Sequence, residues 1–143
     1  MKPAELSPRK FLRRRKILDI AERHFATLGF RASSMEAIAD AAGVSKVTLY
    51  GYFPSKDTLF AAVAQAVAER MEAAVSSALG QPGSAGERIA DALIAKHRLV
   101  HDAVRTSPLA SELFAAKNHL AQDLFRTLDA RLENAVRAAL ADD

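Results

Sequence analysis

Residues Gly43 to Lys56 read GVSKVTLYGYFPSK and contain two tyrosines, a threonine and two lysines around one proline. A lysine ammonium can donate to guanine O6 or N7, and a threonine hydroxyl serves bases of either kind. Tyrosine hydroxyls, and a lysine at a helix N-terminus, suit phosphate oxygens, which fix register without reading sequence. The stretch therefore has the chemistry of a nucleic-acid-binding surface. The alternative is that its tyrosines are half-buried packing residues.

A second group of potential ligands is a pair of histidines, His97 and His101, whose spacing is repeated by His119 and Asp123. Side chains four residues apart on a helix converge and can hold a metal ion. Histidines on an apolar stripe are more often core or pocket residues, so we predict no metal site.

Catalytic motifs are absent from the sequence. It has no glycine-rich phosphate loop, no nucleophile elbow and no carboxylate pair in a predicted cleft. We therefore expect no enzyme activity and no cofactor.

The composition favours an all-helical protein. Of the 143 residues 50% are hydrophobic, alanine is abundant, and there are six glycines and five prolines. The absence of cysteine excludes disulfides and cysteine zinc sites and fits a reducing cytoplasm. The N-terminus lacks the apolar region of a signal peptide, and no apolar run approaches the roughly 20 residues of a membrane span. We expect a soluble, cytoplasmic protein without membrane association.

The charge is unevenly distributed along the chain. Residues 1–56 hold 11 Lys/Arg and 5 Asp/Glu, a net +6, whereas residues 57–143 hold 9 and 12, a net −3, giving the total of +3. This asymmetry indicates that the first part binds a polyanion. A solvated charge run is the alternative.

The first half has the pattern of four helices. Residues 1–10 are predicted to be a flexible basic arm, and a helix from Phe11 ends at Gly29. A capping box of Ser33 and Glu36 is expected to open a second helix, which Gly43 ends. Ser45 is predicted to cap a third helix over 46–53, which Pro54 ends, and Ser55 a fourth over 56–79. Leu49 and Phe53 lie four residues apart and are expected to share the inward face of the third helix. The inward residues of the first helix are predicted to be Ile17, Leu18, Ala21, Phe25 and Leu28. Two short helices joined by a tight glycine turn predict a helix-turn-helix.

The second half has a linker and further helices. Gly80-Gln81-Pro82-Gly83 is the linker, and Ser84 with Glu87 forms another capping box. The inward stripe of the following helix is predicted to be Ile89, Leu93, His97, Val100 and Val104, and that of the last helix Leu120, Leu124, Leu128, Leu132, Val136 and Leu140. We expect most of these leucines to be core, with a dimer seam as the alternative.

The segment Ser34 to Lys56, SMEAIADAAGVSKVTLYGYFPSK, resembles the signature of the tetracycline-repressor (TetR) family of transcriptional regulators. The match covers about 11–71 and includes, in register, Ile38-Ala39, Ala42-Gly43-Val44-Ser45, Thr48-Leu49-Tyr50, Tyr52-Phe53 and Ser55-Lys56. Val47 and Gly51 depart from the family pattern, which suggests an altered base preference.

The resemblance implies roles for individual residues. It places Lys46, Val47 and Thr48 at base-reading positions and Ser34, Tyr50, Tyr52 and Lys56 at backbone-contacting ones. Gly51 is interpreted as permitting close approach of the backbone to DNA. The cations of the N-terminal run would attract phosphate, and the arm could enter a minor groove; the alternative is a solvated tail. They are Arg9, Lys10, Arg13, Arg14, Arg15 and Lys16.

The resemblance also implies an architecture. A three-helix DNA-binding domain over 11–71, with its helix-turn-helix at 34–53, is joined by the long fourth helix to a helical region over 72–143. That region would bind a small-molecule effector and form a homodimer. The effector-pocket candidates are Leu93, His97, His101 and Phe114. Its end after the 120–140 helix is early for the family, so we expect a short member or a truncated product.

The functional expectation is a ligand-responsive repressor that binds a pseudo-palindromic double-stranded DNA operator as a dimer. The alternative is a DNA-binding or interaction protein without sequence choice or effector control.

Overall fold

A computed structural model describes residues 6–109, 112 and 119–142, and within these only the backbone of 103–106 and 119–121. The helices of this part of the chain are α1 (Pro8–Ala32), α2 (Met35–Ala42), α3 (Lys46–Tyr52), α4 (Lys56–Leu79), α5 (Ala85–Thr106) and α6 (His119–Ala141). The same residues contain no strand, which confirms the all-α prediction. None of the described helices is both long enough and apolar enough to cross a bilayer.

The chain divides into two compact units. The N-terminal unit comprises Met1–Val63 and Ser107–Glu112, and the C-terminal unit comprises Ala64–Thr106 and Leu113–Asp143. The boundary after Val63 lies within α4, so this helix supplies residues to both cores.

The core of the N-terminal unit is built on three phenylalanines. The rings of Phe25 and Phe60 meet edge to face at 5.4 Å between centroids, and Phe30 packs against both at 6.0 and 5.2 Å. Edge-to-face contacts suit the ring quadrupoles. The predicted inward residues Ile17, Leu18, Ala21 and Phe25 are all buried. Leu28 is 50% exposed, so its predicted burial is wrong.

The first helix begins earlier than predicted. Ser7 accepts a hydrogen bond from the Lys10 N–H and Pro8 occupies the first turn, so α1 starts at Pro8 rather than Phe11. Proline suits this position because its missing N–H would have no helical partner. The first described cations of the predicted arm, Arg9 and Lys10, are therefore helical; residues 1–5 lie outside the described part.

A break near the end of α1 sets the corner between α1 and α2. Gly29 has φ 81° and ψ 171°, a conformation that essentially requires glycine. The Ser33 hydroxyl donates to the Gly29 carbonyl at 2.7 Å and is buried. Ser34, not Ser33, caps α2, because its Oγ accepts from the Ala37 N–H at 3.1 Å. The predicted capping box of Ser33 and Glu36 is therefore wrong.

We expect Ser33→Ala to lower the free energy of unfolding by about 1–2 kcal/mol, because the buried Gly29 carbonyl would lose its hydroxyl donor. Urea unfolding followed by circular dichroism measures this change. The control is Ser76→Ala on the exposed face of α4, for which we expect no loss. Equal effects of the two substitutions would contradict the assignment.

The C-terminal unit has its own core of α4, α5 and α6 residues. Its buried members are Ala68, Met71, Val75, Ala92, Leu128 and Leu132. Ser84 Oγ accepts from the Glu87 N–H at 3.2 Å, which confirms Ser84 as the cap of α5. The guanidinium of Arg88 donates to the Leu79 carbonyl at 2.9 Å and ties the start of α5 to the end of α4.

Among the described side chains of α6, which do not include that of Leu120, the predicted stripe is buried at its centre. Leu128 and Leu132 are buried, whereas Leu140 is 56% exposed and Ala139 takes the inward position. A four-residue step overshoots the 3.6-residue turn by about 40°, so a leucine row drifts off one face over several steps. On α5, Leu93 and His97 are exposed and Ala92 is buried instead, so the predicted α5 stripe is shifted.

Candidate nucleic-acid interface

The corner between α2 and α3 is a tight glycine turn that fixes the direction of α3. Gly43 adopts a left-handed conformation (φ 69°, ψ 30°), and its N–H donates to the Asp40 carbonyl at 3.1 Å. The Val44 N–H donates to the Ala39 carbonyl at 3.0 Å. Both bonds take up carbonyls that the end of α2 would leave without partners. The two short helices predicted on either side of Gly43 are therefore present and are joined as in a helix-turn-helix.

One face of α3 is buried and the other is open to solvent. Leu49 and Phe53 are buried, as predicted from their spacing. Val47 is 83% exposed, the largest exposure among the large hydrophobic side chains of the described residues. An isolated apolar side chain presented this way at a helix N-terminus suits the methyl group of a thymine.

The two polar residues at the start of α3 are already oriented. The Ser45 Oγ accepts from the Thr48 N–H at 3.1 Å and donates to the Thr48 hydroxyl oxygen at 2.9 Å. Because that oxygen accepts from Ser45, the Thr48 proton stays available as a donor to a base edge. Tyr50 is exposed, whereas Tyr52 is half-buried.

Lys46 forms an ion pair with a residue of α2. Its Nζ lies 2.7 Å from the Glu36 carboxylate, and both side chains are largely exposed. The hydrogen bond and charge of Lys46 hold the pKa of Glu36 below its ordinary value, and Glu36 in turn raises the pKa of Lys46. Both groups are therefore charged at neutral pH. The sequence predicts Glu36 only as part of a capping box. Its contact with Lys46 was not predicted, because the two residues lie on different helices separated by the glycine turn and helical periodicity does not relate them.

Lys56 lies at the α1–α2 corner. Its Nζ donates to the carbonyls of Phe30 at 2.7 Å and Ser33 at 3.1 Å, and it lies 4.2 Å from the centre of the Phe30 ring. An ammonium has three donors, so one remains for a phosphate oxygen while two stabilise the corner. The sequence indicated that Lys56 could contact phosphate. It did not indicate that Lys56 stabilises the α1–α2 corner, because Phe30 and Ser33 are distant from Lys56 along the chain.

A polar groove of about 520 Å³ gathers several predicted site residues beside α3. Its lining includes Arg31, Ser34, Glu36, Lys46, Tyr50, Ser55 and Lys56. The helix caps Ser34 and Ser55 face it with the N-termini of α2 and α4, where backbone N–H groups favour anions. Arg31 and Glu36 were not predicted for this site. Arg31 lies in the last turn of α1 and Glu36 in the first turn of α2, where sequence periodicity does not show which way a side chain points.

The remaining predicted residues lie elsewhere in the N-terminal unit. Gly51 is exposed on α3, and a Cβ at this position would meet no atom within 4 Å, so the surface is open here. Arg13 is exposed on α1, and the guanidinium of Arg14 lies 5.1 Å from the centre of the Phe53 ring. Arg14 therefore packs at the end of α3 as well as carrying charge.

The predicted pocket residues are not brought together. Leu93 lines an apolar groove of about 270 Å³ in the C-terminal unit, with Val75, Ala92, Leu132 and Val136. His97 and His101 are exposed and stack on each other at 5.7 Å. Neither lines that groove, and Phe114 lies outside the described residues. Within the described ranges no three histidine, cysteine or acidic side chains converge as they would around a metal ion.

Comparison with known proteins locates the similarity in the helix-turn-helix. Residues 17–63 match the model of the family described as bacterial regulatory proteins, tetR family. The transcriptional repressor Rv1474c of Mycobacterium tuberculosis is 41% identical over 64 residues, 45% of this chain and 34% of the relative. The transcriptional repressor KstR2 of Rhodococcus jostii is 44% identical over 57 residues, 40% of this chain and 28% of the relative. The match thus spans about a third of these relatives or less.

A likeness over most of the chain comes from a solved structure. A TetR-like transcriptional regulator from Rhodococcus sp. RHA1 is 30% identical, with a TM-score of 0.67, over 95% of this chain and 80% of the other. The correspondence therefore extends through both units and is not confined to α1–α4. The chain belongs to the TetR family of bacterial regulatory proteins.

Proposed function

We propose that the protein is a transcriptional regulator that binds a specific double-stranded DNA operator in the cytoplasm through α3. The observation that carries the proposal is the exposed N-terminal half of α3. It exposes Lys46 and Val47 and leaves Thr48 half-buried with its hydroxyl proton available, while Leu49 is buried in the core. A recognition helix reads the major groove with these first residues.

The groove beside α3 supplies the phosphate contacts of the proposal. The hydroxyls of Ser34 and Tyr50 and the third Lys56 donor face one surface with the N-termini of two helices. Such contacts position the protein on the duplex, and the α3 residues then select the bases. The exposed cations of α1, Arg13 among them, would add attraction to the DNA backbone.

The proposal includes a dimer, since two recognition helices about one helical turn apart select a two-fold sequence. It also includes a small, largely apolar effector in the groove around Leu93. At about 270 Å³ the groove is near the lower end of ligand-pocket volumes. Repression is the proposed direction of control.

Selection of bound sequences from random double-stranded DNA by the full 143-residue chain tests the proposal. Enrichment of a pseudo-palindrome is the expected result. Binding without enrichment would instead support the alternative of a DNA-binding protein without sequence choice. Release of the enriched duplex from the protein when small apolar compounds are added would support the proposed effector site.

Lys46→Ala and Thr48→Ala are each expected to weaken binding to the enriched duplex by about 1–3 kcal/mol, because each removes a donor to a base edge. Fluorescence anisotropy measures the affinity. The control is Arg126→Ala, which removes an exposed cation of α6 that pairs with Asp123 at 3.3 Å. Unchanged affinity of both folded α3 variants would exclude α3 as the reading helix.

A further inference from the structure

The ion pair between Glu36 and Lys46 occupies the surface that the proposed function assigns to DNA. It joins the first turn of α2 to the first residue of α3 across the glycine turn. The carboxylate lies in the first turn of α2, where the helix dipole favours it, but it does not accept the capping hydrogen bond, because the Ala37 N–H donates to Ser34 Oγ. An exposed acidic side chain on such a surface repels phosphate, so it calls for a functional explanation.

The pair changes what Lys46 offers to DNA. An ammonium has three donors, and one of them points to the Glu36 carboxylate at 2.7 Å. Two donors remain, which matches the two acceptors, O6 and N7, of a guanine in the major groove. Toward a phosphate, by contrast, the pair is electrically neutral and releases no counterion. Lys46 is thus weakened as a general phosphate contact and kept as a base contact.

We propose that Glu36 is a specificity-determining residue that holds Lys46 for a base edge and suppresses its use on phosphate. The proposal rests on the proposed function. Glu36 lowers affinity for DNA of any sequence and lowers affinity for the operator less. Glu36 thereby increases the ratio of the affinity for the operator to the affinity for other DNA.

The test measures affinity for two duplexes of equal length, the enriched sequence and a random sequence, over a series of salt concentrations. Glu36→Gln is expected to tighten binding to the random duplex by about two- to fivefold, the range of exposed ion pairs. Its salt dependence is expected to steepen by about one unit of slope, since one more cation meets phosphate. Affinity for the enriched duplex is expected to change less, so the specificity ratio falls.

Two controls separate this role from a general charge effect. Asp123→Asn removes one carboxylate from an exposed pair with Arg126, at 3.3 Å on α6, and is expected to change neither affinity. In a Lys46→Met background Glu36 is an unpaired anion, so Glu36→Gln is expected to tighten binding to both duplexes equally and to leave the specificity ratio unchanged. The NMR-measured pKa of Glu36 should rise in Lys46→Met, because the lysine holds it down in the wild type.

The possible outcomes are distinct. Equal tightening on both duplexes, no tightening, or the same fall in the specificity ratio when Lys46 is absent would each overturn the role of Glu36 and leave the proposed function standing. Failure of the wild-type chain and all variants to bind either duplex would overturn the proposed function and this proposal with it. Circular dichroism confirms that each variant is folded, and Glu36→Ser provides a second charge-removing variant.

Discussion

Phe25→Ala is expected to lower the free energy of unfolding by about 3–5 kcal/mol, the range for a buried phenylalanine truncated in a core. Phe25 is fully buried, and its ring contacts those of Phe30 and Phe60. Truncation leaves a cavity between α1 and α4 residues of the N-terminal unit. Domains are typically stable by about 5–15 kcal/mol, so the loss is a large share of the total. Urea unfolding followed by circular dichroism gives the value.

The matched control is Phe11→Ala, on the same helix. Phe11 is 44% exposed, so its truncation is expected to cost less than about 1 kcal/mol. DNA binding by Phe25→Ala is expected to fall with the folded fraction and to recover at lower temperature or in an uncharged osmolyte such as sucrose. Similar stabilities of the two variants would show that the phenylalanine cluster is not the centre of this core.

Gly29→Ala is the second substitution with a large expected effect, about 1–3 kcal/mol of lost stability. The backbone at Gly29 has φ 81° and ψ 171°, which a side chain disfavours. A Cβ there would also lie 2.8 Å from the Glu112 carboxylate oxygen. Both oxygens of that carboxylate accept from the Phe30 N–H at 3.0 Å. The N–H next to the helix break is thereby bonded by a charged acceptor from another segment of the same unit.

A double-mutant cycle separates the two causes at Gly29. In a Glu112→Ala background the steric conflict is absent, so Gly29→Ala should cost less there than in the wild type, while the backbone strain remains. Gly51→Ala is the control with the opposite sign. Gly51 is helical with open space around its Cβ, so alanine is expected to stabilise by about 0.5–1 kcal/mol. Additive effects at Gly29 and Glu112 would mean that the carboxylate moves aside without cost.

The local elements of the N-terminal unit were predictable because their signals are local. Gly43, Ser45, Pro54 and Ser55 act through backbone conformation and hydrogen bonds within a few residues, and the structure has α3 and α4 starting where they predict. Periodicity identified Phe25 and Leu49 as core residues for the same reason. Where two serines adjoin, as at Ser33 and Ser34, local chemistry does not choose between them. The break at Gly29 makes the choice by offering Ser33 a carbonyl.

The C-terminal unit was less predictable. The long helices there carry apolar residues on more than one face, so the inward face depends on which neighbours pack against it. The small side chain of Ala92 is buried, whereas the larger and more hydrophobic Leu93 is exposed and lines a groove. Hydrophobicity alone would have placed Leu93 in the core. His97 and His101 kept their predicted helical spacing but lie on the exposed face of α5.

The sequence by itself determined the all-helical class, the helix-turn-helix around Gly43 and the residues at the start of α3, because each depends on interactions between near neighbours in the chain. Tertiary structure alone decided which distant residues these and other polar groups of the N-terminal unit contact. It gave Lys46 a carboxylate partner from α2, gave two Lys56 donors to the α1–α2 corner, and brought Glu112 to the Phe30 N–H. These contacts join residues from 10 to 82 positions apart. Their existence depends on how helices pack, and no periodicity or local propensity encodes that.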